Sequence, residues 1–384
     1  MRVILATWLP RMPDSPRGGV EVVSLNLARA LSHHKEIEVH VVTFDPEVQK
    51  TEHQEWAGVS IHRLPQGNGS LLGFATGSGG RTFREYILDL KPDVVHAHDT
   101  FGMMTRSLNL PRVFTIHGFI HEDTRYVGGW KARLRSELWK REEYATWAEQ
   151  PHIISISPYV RERLRGIARG VIHDIENPID EACFKVQRRE EPGRIFSAAV
   201  ISARKNPLGL TQAVAGLPVG IAAELRLAGP VVEESYGRKL RKYIQDKVLM
   251  KRVLLLGSMP ALGVREELGK ASVFALVSFE EGAPMGIAEA MAAGVPILAS
   301  NRCGMPYMVR HGETGFLVNP EDPTDIARHL TVLLSNDSLR KRMGLAARDF
   351  AENHFHPKRV AERTLMVYRR AIDEWCSSRR AESI

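Results

Sequence analysis

Short apolar runs alternate with stretches of helical spacing, and they do so in two series separated by a lapse. The first series is "RVILAT", "IEVHVVTF", "PDVVHAHD", "RVFTIHG" and "HIISIS", with "GGVEVVSLNLARALS" as its first amphipathic helix. The second is "RIFSAAVIS", "AELRLAG", "RVLLLGS", "SVFALVS", "PILAS" and "GFLV". Runs this short and uniformly apolar suit strands covered on both faces, and the helices between them supply the crossovers that parallel strands need. Between the series, "ENPIDEACFKVQRREEPG" has turn residues and charge but no period. The pattern predicts two doubly wound α/β domains, residues 1–183 and 194–355, joined by a linker at 184–193. A basic helix at 356–384 is expected to pack across both. The glycine-rich residues 65–80, "PQGNGSLLGFATGSGG", read as a mobile loop. Doubly wound sheets bind ligands outside the carboxyl ends of their strands, so the expected site is a cleft between two facing sheets.

Composition narrows the classes. With 384 residues, 43% hydrophobic and 25% charged, the chain has apolar mass for two cores. No apolar stretch reaches the length of a membrane span, and "MRVILATWLPRMP" lacks the long apolar region of a signal peptide. Cys183, Cys303 and Cys376 are too scattered for a metal or disulfide pattern, which favours a reducing cytoplasm. The net charge of +7 favours anionic substrates or surfaces. The basic residues are spread and carry no nucleic-acid motif, so nucleic acid is not an expected partner.

The most informative stretch is "EEGAPMGIAEAMAAGVP", residues 280–296. Glu281 and Gly282 fall in the turn after "SVFALVS". Pro284 suits the first turn of a helix that ends near Ala293, with Gly294 as its cap. The helix start offers the amides of Met285, Gly286 and Ile287 to an anion, and Gly286 leaves room for close approach. Glu289, about one turn further, is placed to accept two ribose hydroxyls. Glu281 is placed to accept hydroxyls of a sugar beyond a diphosphate. The same spacing also occurs in a plain strand–turn–helix unit with one capping and one solvated glutamate.

The stretch, with "GETGFLV" downstream and "GGVEVVSLNLARAL" upstream, closely resembles the retaining glycosyltransferases of family 4, which have the GT-B fold. The likeness runs in order along nearly the whole chain. It implies two Rossmann-like domains facing across a cleft, the sugar-nucleotide donor in the second and a hydroxyl acceptor in the first. By this likeness Glu281 contacts the donor sugar, Glu289 the ribose, and Lys205 in "VISARKNP" the diphosphate. An arginine of the family pattern is replaced by Val200, and Arg204 is expected to compensate. Tyr307 stands where relatives often have glutamate. Gly18 and Gly19 fall in the loop of the reaction centre, and His117 of "TIHG" lies beside the donor sugar. His96, His98 and Asp99 of "HAHD" are expected on the acceptor side. No cofactor or metal is expected.

The expected reaction is transfer of a sugar, with retention, from a uridine diphosphate donor to a glycan or lipid-linked glycan. Bacterial surface polysaccharide, lipopolysaccharide or glycolipid assembly is the expected setting. The alternatives are a nucleotide-sugar-binding protein without turnover and a GT-B-fold epimerase or phosphorylase. Residues 125–145 carry Trp130, Leu134, Leu138 and Trp139 among lysines and arginines. They suggest a helix on an anionic membrane surface, at the inner face of the cell membrane, or else one packed on its own domain.

Overall fold

A computed structural model describes residues 1–382 apart from residues 14, 17, 68–69 and 127–128. The chain divides into two compact units, Met1–Pro178 with Pro357–Ile384, and Ile179–His356.

The first unit is built on an eight-stranded sheet. Its strands are β1 (Arg2–Ala6), β2 (Glu38–Asp45), β3 (Glu52–Trp56), β4 (Val59–Pro65), β5 (Val94–His98), β6 (Arg112–Ile116), β7 (His152–Ser155) and β8 (Val171–Asp174). The spatial order is β3-β4-β2-β1-β5-β6-β7-β8. Every neighbouring pair is parallel except β3 on β4. Val3, Ile4, Leu5 and Ala6 are all fully buried, as a central strand covered on both faces requires. Each fully buried aliphatic side chain of this kind contributes roughly 1.5–3 kcal/mol. The hairpin β3–β4 has no clear apolar-run signal, because β3 is a largely exposed polar edge strand, "EHQEW". Its two-residue turn, Ala57 and Gly58, has positive φ at both positions, 49° and 76°, as a primed hairpin turn needs.

The second unit holds a six-stranded, all-parallel sheet. Its strands are β9 (Arg194–Ala198), β10 (Glu224–Ala228), β11 (Val253–Gly257), β12 (Val273–Leu276), β13 (Ile297–Ser300) and β14 (Gly315–Val318). Their order is β11-β10-β9-β12-β13-β14. Alternate residues of β12 enter opposite cores. Phe274 and Leu276 join one cluster, with Ile287 and Met291, while Val273 and Ala275 join another, with Leu225 and Leu240.

Three features differ from the sequence expectation. Most of the stretch read as a mobile loop is helical, over Leu71–Thr76 and Ser78–Asp89; residues 68–69 lie outside the described set. Phe83 and Ile87 anchor the second of these helices in the core, which outweighs its glycines. Residues 184–193, read as a linker, and residues 179–183, read as the end of the first domain, both belong to the second unit. Ile179, Cys183 and Phe184 are buried in its core, and the amides of Arg189 and Glu191 donate to Gly269 and Lys270 carbonyls. The terminal helix, Pro357–Glu382, is part of the first unit. Val360, Ala361, Leu365, Tyr368 and Ala371 recur at helical spacing and share a core with Val3, Leu31 and Val39.

Candidate functional site

In the second unit the strand order reverses between β9 and β12, the place where open α/β sheets bind ligands. The loops after these two strands are tied together there. The Phe279 amide donates to the Arg204 carbonyl at 2.8 Å. Asn206, in the left-handed region at φ 54°, caps the following helix by accepting the Gly209 amide. Its side-chain amide donates to the Val277 and Pro320 carbonyls at 3.3 and 2.8 Å. On this frame Lys205 forms an ion pair with Glu281, whose residue is only 8% exposed. Arg204 donates from Nη1 to the Glu280 carbonyl at 2.8 Å and stands 3.6 Å from the Glu281 carboxylate. Two cations and one carboxylate thus meet at the switch point, beside the start of the helix Met285–Ala292.

That helix start is narrower as an anion site than the sequence suggests. The Ile287 amide donates to the Pro284 carbonyl at 3.1 Å and is not free; Ile287 itself is buried. Met285 and Gly286 remain as the amides of the first turn. Gly286 has a second reason to lack a side chain. A Cβ there would lie 3.1 Å from Phe274 and 3.3 Å from the Ala198 carbonyl, so the glycine lets the helix approach the sheet. Glu289 follows one turn on, half-buried. Burial raises its pKa to about 7, the nearby Asp180 adds to the rise, and Arg265 opposes it. Tyr307 lies on the short helix Met305–Met308 and is 44% exposed.

Gly304 had no signal beyond being a glycine in "CGMP". Its amide donates to the Glu281 carbonyl at 2.8 Å. A Cβ on it would fall 1.7 Å from the Gly282 carbonyl oxygen. The backbone of residues 281–282 therefore lies directly against Gly304, which fixes where Glu281 stands.

In the first unit the order reverses between β1 and β5. Gly18 is the N-cap of the helix Gly19–Ser32, and a Cβ on it would meet nothing within 4 Å. Gly118, after β6, is equally open. Asp14 and Arg17 of the intervening "PDSPRGGVE" lie outside the described residues. Asp99 follows β5 with φ 44° and ψ −117°, a strained backbone for a residue with a side chain. Its carboxylate accepts the His117 amide at 2.9 Å and also the Gly118 amide, so it holds the "HG" turn in place. Burial raises the Asp99 pKa to about 7 against the effect of those two amides. Asp99 and Gly118 also border a small cavity with Glu143 and Trp147.

The three histidines differ sharply in setting. His96 is 1% exposed, and both its ring nitrogens are engaged, with the Tyr368 hydroxyl and Thr115 Oγ1, each at 2.7 Å. It links the sheet to the terminal helix and offers no free atom to an acceptor. His98 lies under His117, its Nδ1 3.0 Å from His117 Nε2. His117 is half-buried, and burial lowers its pKa to about 4, with Asn177 acting in opposition. Among the described residues, no group of three or more His, Cys, Asp or Glu is arranged to hold a metal ion.

Two family models match the chain in succession. "Glycosyltransferase Family 4" covers residues 17–182, and "Glycosyl transferases group 1" covers residues 178–350. The chain belongs to glycosyltransferase family 4. An uncharacterized glycosyltransferase of Methanocaldococcus jannaschii is 23% identical to it over 97% of this chain and 99% of that one. The GT-B fold is evident from solved structures. Sucrose-phosphate synthase from Thermosynechococcus elongatus superposes with a TM-score of 0.82 at 20% identity, over 97% of this chain and 99% of that one. Anabaena HepE in complex with UDP-glucose gives 0.71 at 16% identity, over 98% and 100%.

Within this glycosyltransferase, Lys205, Arg204, Glu281, Gly282, Met285 and Gly286 converge on one corner of the second unit. Glu289 stands one turn deeper, next to Asp180 and Arg265, which the sequence did not single out. In the first unit, His98, Asp99 and His117 lie at the ends of β5 and β6, and Gly18 and Gly19 open the helix that follows the loop after β1. Asn206 and Gly304, which hold that corner together, and Tyr368, which engages His96, were visible only in three dimensions.

Proposed function

We propose that this glycosyltransferase moves a sugar from a uridine diphosphate donor to a hydroxyl of a glycan or lipid-linked glycan, retaining the anomeric configuration. The observation that carries the reading is the Lys205–Glu281 pair with Arg204 at the β9/β12 switch point. In this reading an arriving diphosphate takes Lys205 and Arg204 as counter-charges and the Met285 and Gly286 amides as donors. Glu281 is thereby freed to accept hydroxyls of the donor sugar. Glu289, once ionised, accepts the ribose hydroxyls. The solved relative with UDP-glucose bound supports uridine as the base. A further structural neighbour, WaaG, is described as involved in lipopolysaccharide biosynthesis, which supports a surface-glycan setting.

The setting of Glu281 supports retention. Its nearest carboxylate, Glu281, is held by Lys205 on one side and by its own backbone against Gly304 on the other. That arrangement suits hydroxyl recognition better than covalent attack. The diphosphate then leaves first, and its oxygen takes the proton of the acceptor hydroxyl on the same face. Incubation with UDP-glucose and acceptor is expected to release UDP and to give an α-linked product. A proton coupling constant reporting a β linkage would overturn the assignment of retention.

The membrane reading rests on the helix Gly129–Glu149. Trp130, Leu134 and Leu138 are 70%, 58% and 49% exposed, at four-residue spacing on one ridge. Lys131, Arg133, Arg135 and Arg141 are exposed around them. Trp139 is not part of that ridge: it turns inward with Ala132, Ser136 and Glu143. Val127 and Gly128, in the same candidate segment, lie outside the described residues. No described helix is long and apolar enough to cross a membrane. An apolar ridge within a basic collar matches an anionic lipid surface. Flotation with vesicles containing phosphatidylglycerol is expected to carry the protein upward at low salt. Trp130→Ser combined with Leu134→Ser is expected to abolish this, and absence of flotation by the native protein would end the idea.

A further inference from the structure

We infer that Arg63 is a positioning residue whose buried guanidinium fixes the loop leading from β1 to the Gly18–Gly19 pair. The inference rests on the reading of that loop as part of the reaction centre. Arg63 lies near the end of β4, and the residue is only 3% exposed. Its Nη1 donates to the Leu9 carbonyl at 3.4 Å, and its Nη2 donates to the Pro10 and Arg11 carbonyls at 2.7 and 3.1 Å. Three consecutive carbonyls of one loop thus converge on one planar cation, whose fork of donors suits such a grip. Sealed in this way, Arg63 can act on a substrate only through the loop.

The loop needs an outside anchor because of its own composition. Pro10, Pro13 and Pro16 have no N–H to donate. The Ser15 amide closes a local turn onto the Met12 carbonyl at 2.9 Å, and side chains from other elements grip the start of the loop. Leu9 and Pro10 are buried, and buried carbonyls require partners. The prolines also fix φ at every third position from residue 10 to residue 16. A shift at residues 9–11 is therefore carried along the loop by a stiff chain. The helix Gly19–Ser32 holds the glycine pair from behind, while Arg63 holds the loop in front of it.

The neighbouring contacts belong to the same grip. Asp45, buried at the end of β2, accepts from Arg11 Nη1 at 3.1 Å and lies 3.9 Å from Arg63 Nη1. One carboxylate thus serves a guanidinium beneath the loop and another on it. Trp8, just ahead of the gripped segment, donates from Nε1 to Thr100 Oγ1 at 3.2 Å and packs edge-on against Phe101. Thr100 follows Asp99, whose carboxylate holds the His117–Gly118 turn. The start of the loop is therefore tied on one side to β4 and on the other to the helix after β5. A reacting group displaced by about 1 Å costs on the order of 10²-fold in rate, so a loop held this firmly at a reaction centre has a kinetic purpose.

Arg63→Met keeps the stem and removes the fork of donors. Asp45 retains Arg11 as its counter-charge, so the fold is expected to survive. Glycosyl transfer by the full-length variant is expected to show kcat lowered about 10- to 100-fold. Titration with UDP alone is expected to give affinity within about twofold of the native protein, because the diphosphate corner belongs to the second unit. Trypsin cleavage after Arg11 is expected to quicken about tenfold or more as the loop loosens. Arg63→Lys keeps a buried cation that cannot span all three carbonyls, and it is expected to fall between the native protein and Arg63→Met in both kcat and cleavage. Should Arg63→Met fail to fold, Arg63→Lys decides alone. Native kcat or unchanged cleavage in either folded variant would overturn the inference. So would a loss of UDP affinity in step with kcat, which marks general damage rather than a displaced loop. Absence of any glycosyl transfer by the native protein would instead refute the reading of the loop as reaction centre, and the cleavage arm would still show whether Arg63 holds it.

Discussion

Lys205→Ala is expected to lower kcat by about 10²- to 10³-fold, the scale on which one preorganised charge-stabilising donor acts. The ammonium pairs with Glu281 and is mostly buried, its side chain 15% exposed. A cation in that setting stabilises charge on a leaving phosphate more strongly than it would in water. Removing it also leaves a nearly buried carboxylate with only Arg204, 3.6 Å away, as counter-charge. A stability loss of about 1–3 kcal/mol is therefore expected as well, visible as a lowered melting temperature. Lys205→Arg is expected to restore stability more fully than rate, because a planar guanidinium does not reproduce a compact point charge. Arg204→Ala is expected to cost less, roughly tenfold in kcat, since one of its donors is spent on the Glu280 carbonyl. Single-turnover rates and melting curves of the three variants test this together. Native rates in both alanine variants would remove these cations from the donor site.

Gly304→Ala is the second large effect expected, and it touches no substrate group directly. The residue has φ −81°, so alanine suits its backbone conformation. The obstacle is contact: the new Cβ would fall 1.7 Å from the Gly282 carbonyl oxygen and 2.9 Å from that of Glu281. Both are backbone atoms that cannot rotate aside as a side chain would. The turn holding Glu281 must therefore move, and the bond from the Gly304 amide to the Glu281 carbonyl is strained or lost. Displacing a reacting group by about 1 Å costs on the order of 10²-fold in rate, and overpacking of this kind costs about 1–3 kcal/mol in stability. The expected outcome is a folded, less stable enzyme with weakened UDP-sugar affinity and a low kcat. Unchanged kinetics would show that the position of the 281–282 turn does not matter.

Much of the architecture is legible from one-dimensional pattern. All six strands of the second sheet stand out as short apolar runs, because central strands covered on both faces admit few polar residues and even the half-exposed edge strand β11 keeps the run "VLLL". The first sheet is less complete. β3 escapes because an exposed edge strand needs no apolar run, and the helix Ser78–Asp89 escapes because its glycines mask residues that the core holds in place. The terminal helix is legible as a helix, but its allegiance to the first unit depends on the partners of Val360, Leu365 and Tyr368.

The candidate site divides along the same line. Glu281, Glu289, Lys205 and the glycine pair at 18–19 are readable as candidates because the strand–turn–helix pattern places them after strands or at the start of the helices that follow. Family likeness then gives those residues roles. The clamps are not readable. Gly304 reaches Glu281 from 23 residues along the chain, and Tyr368 reaches His96 from 272 residues away. The sequence by itself determined two doubly wound sheets, the switch-point loops and the charged groups they carry, since these follow from local periodicity and composition. Only the tertiary structure decided that the Ile287 amide is occupied, that His96 is sealed in the core and that His98 underlies His117. Hydrogen-bond pairing and close approach between distant segments leave no periodic trace in the chain.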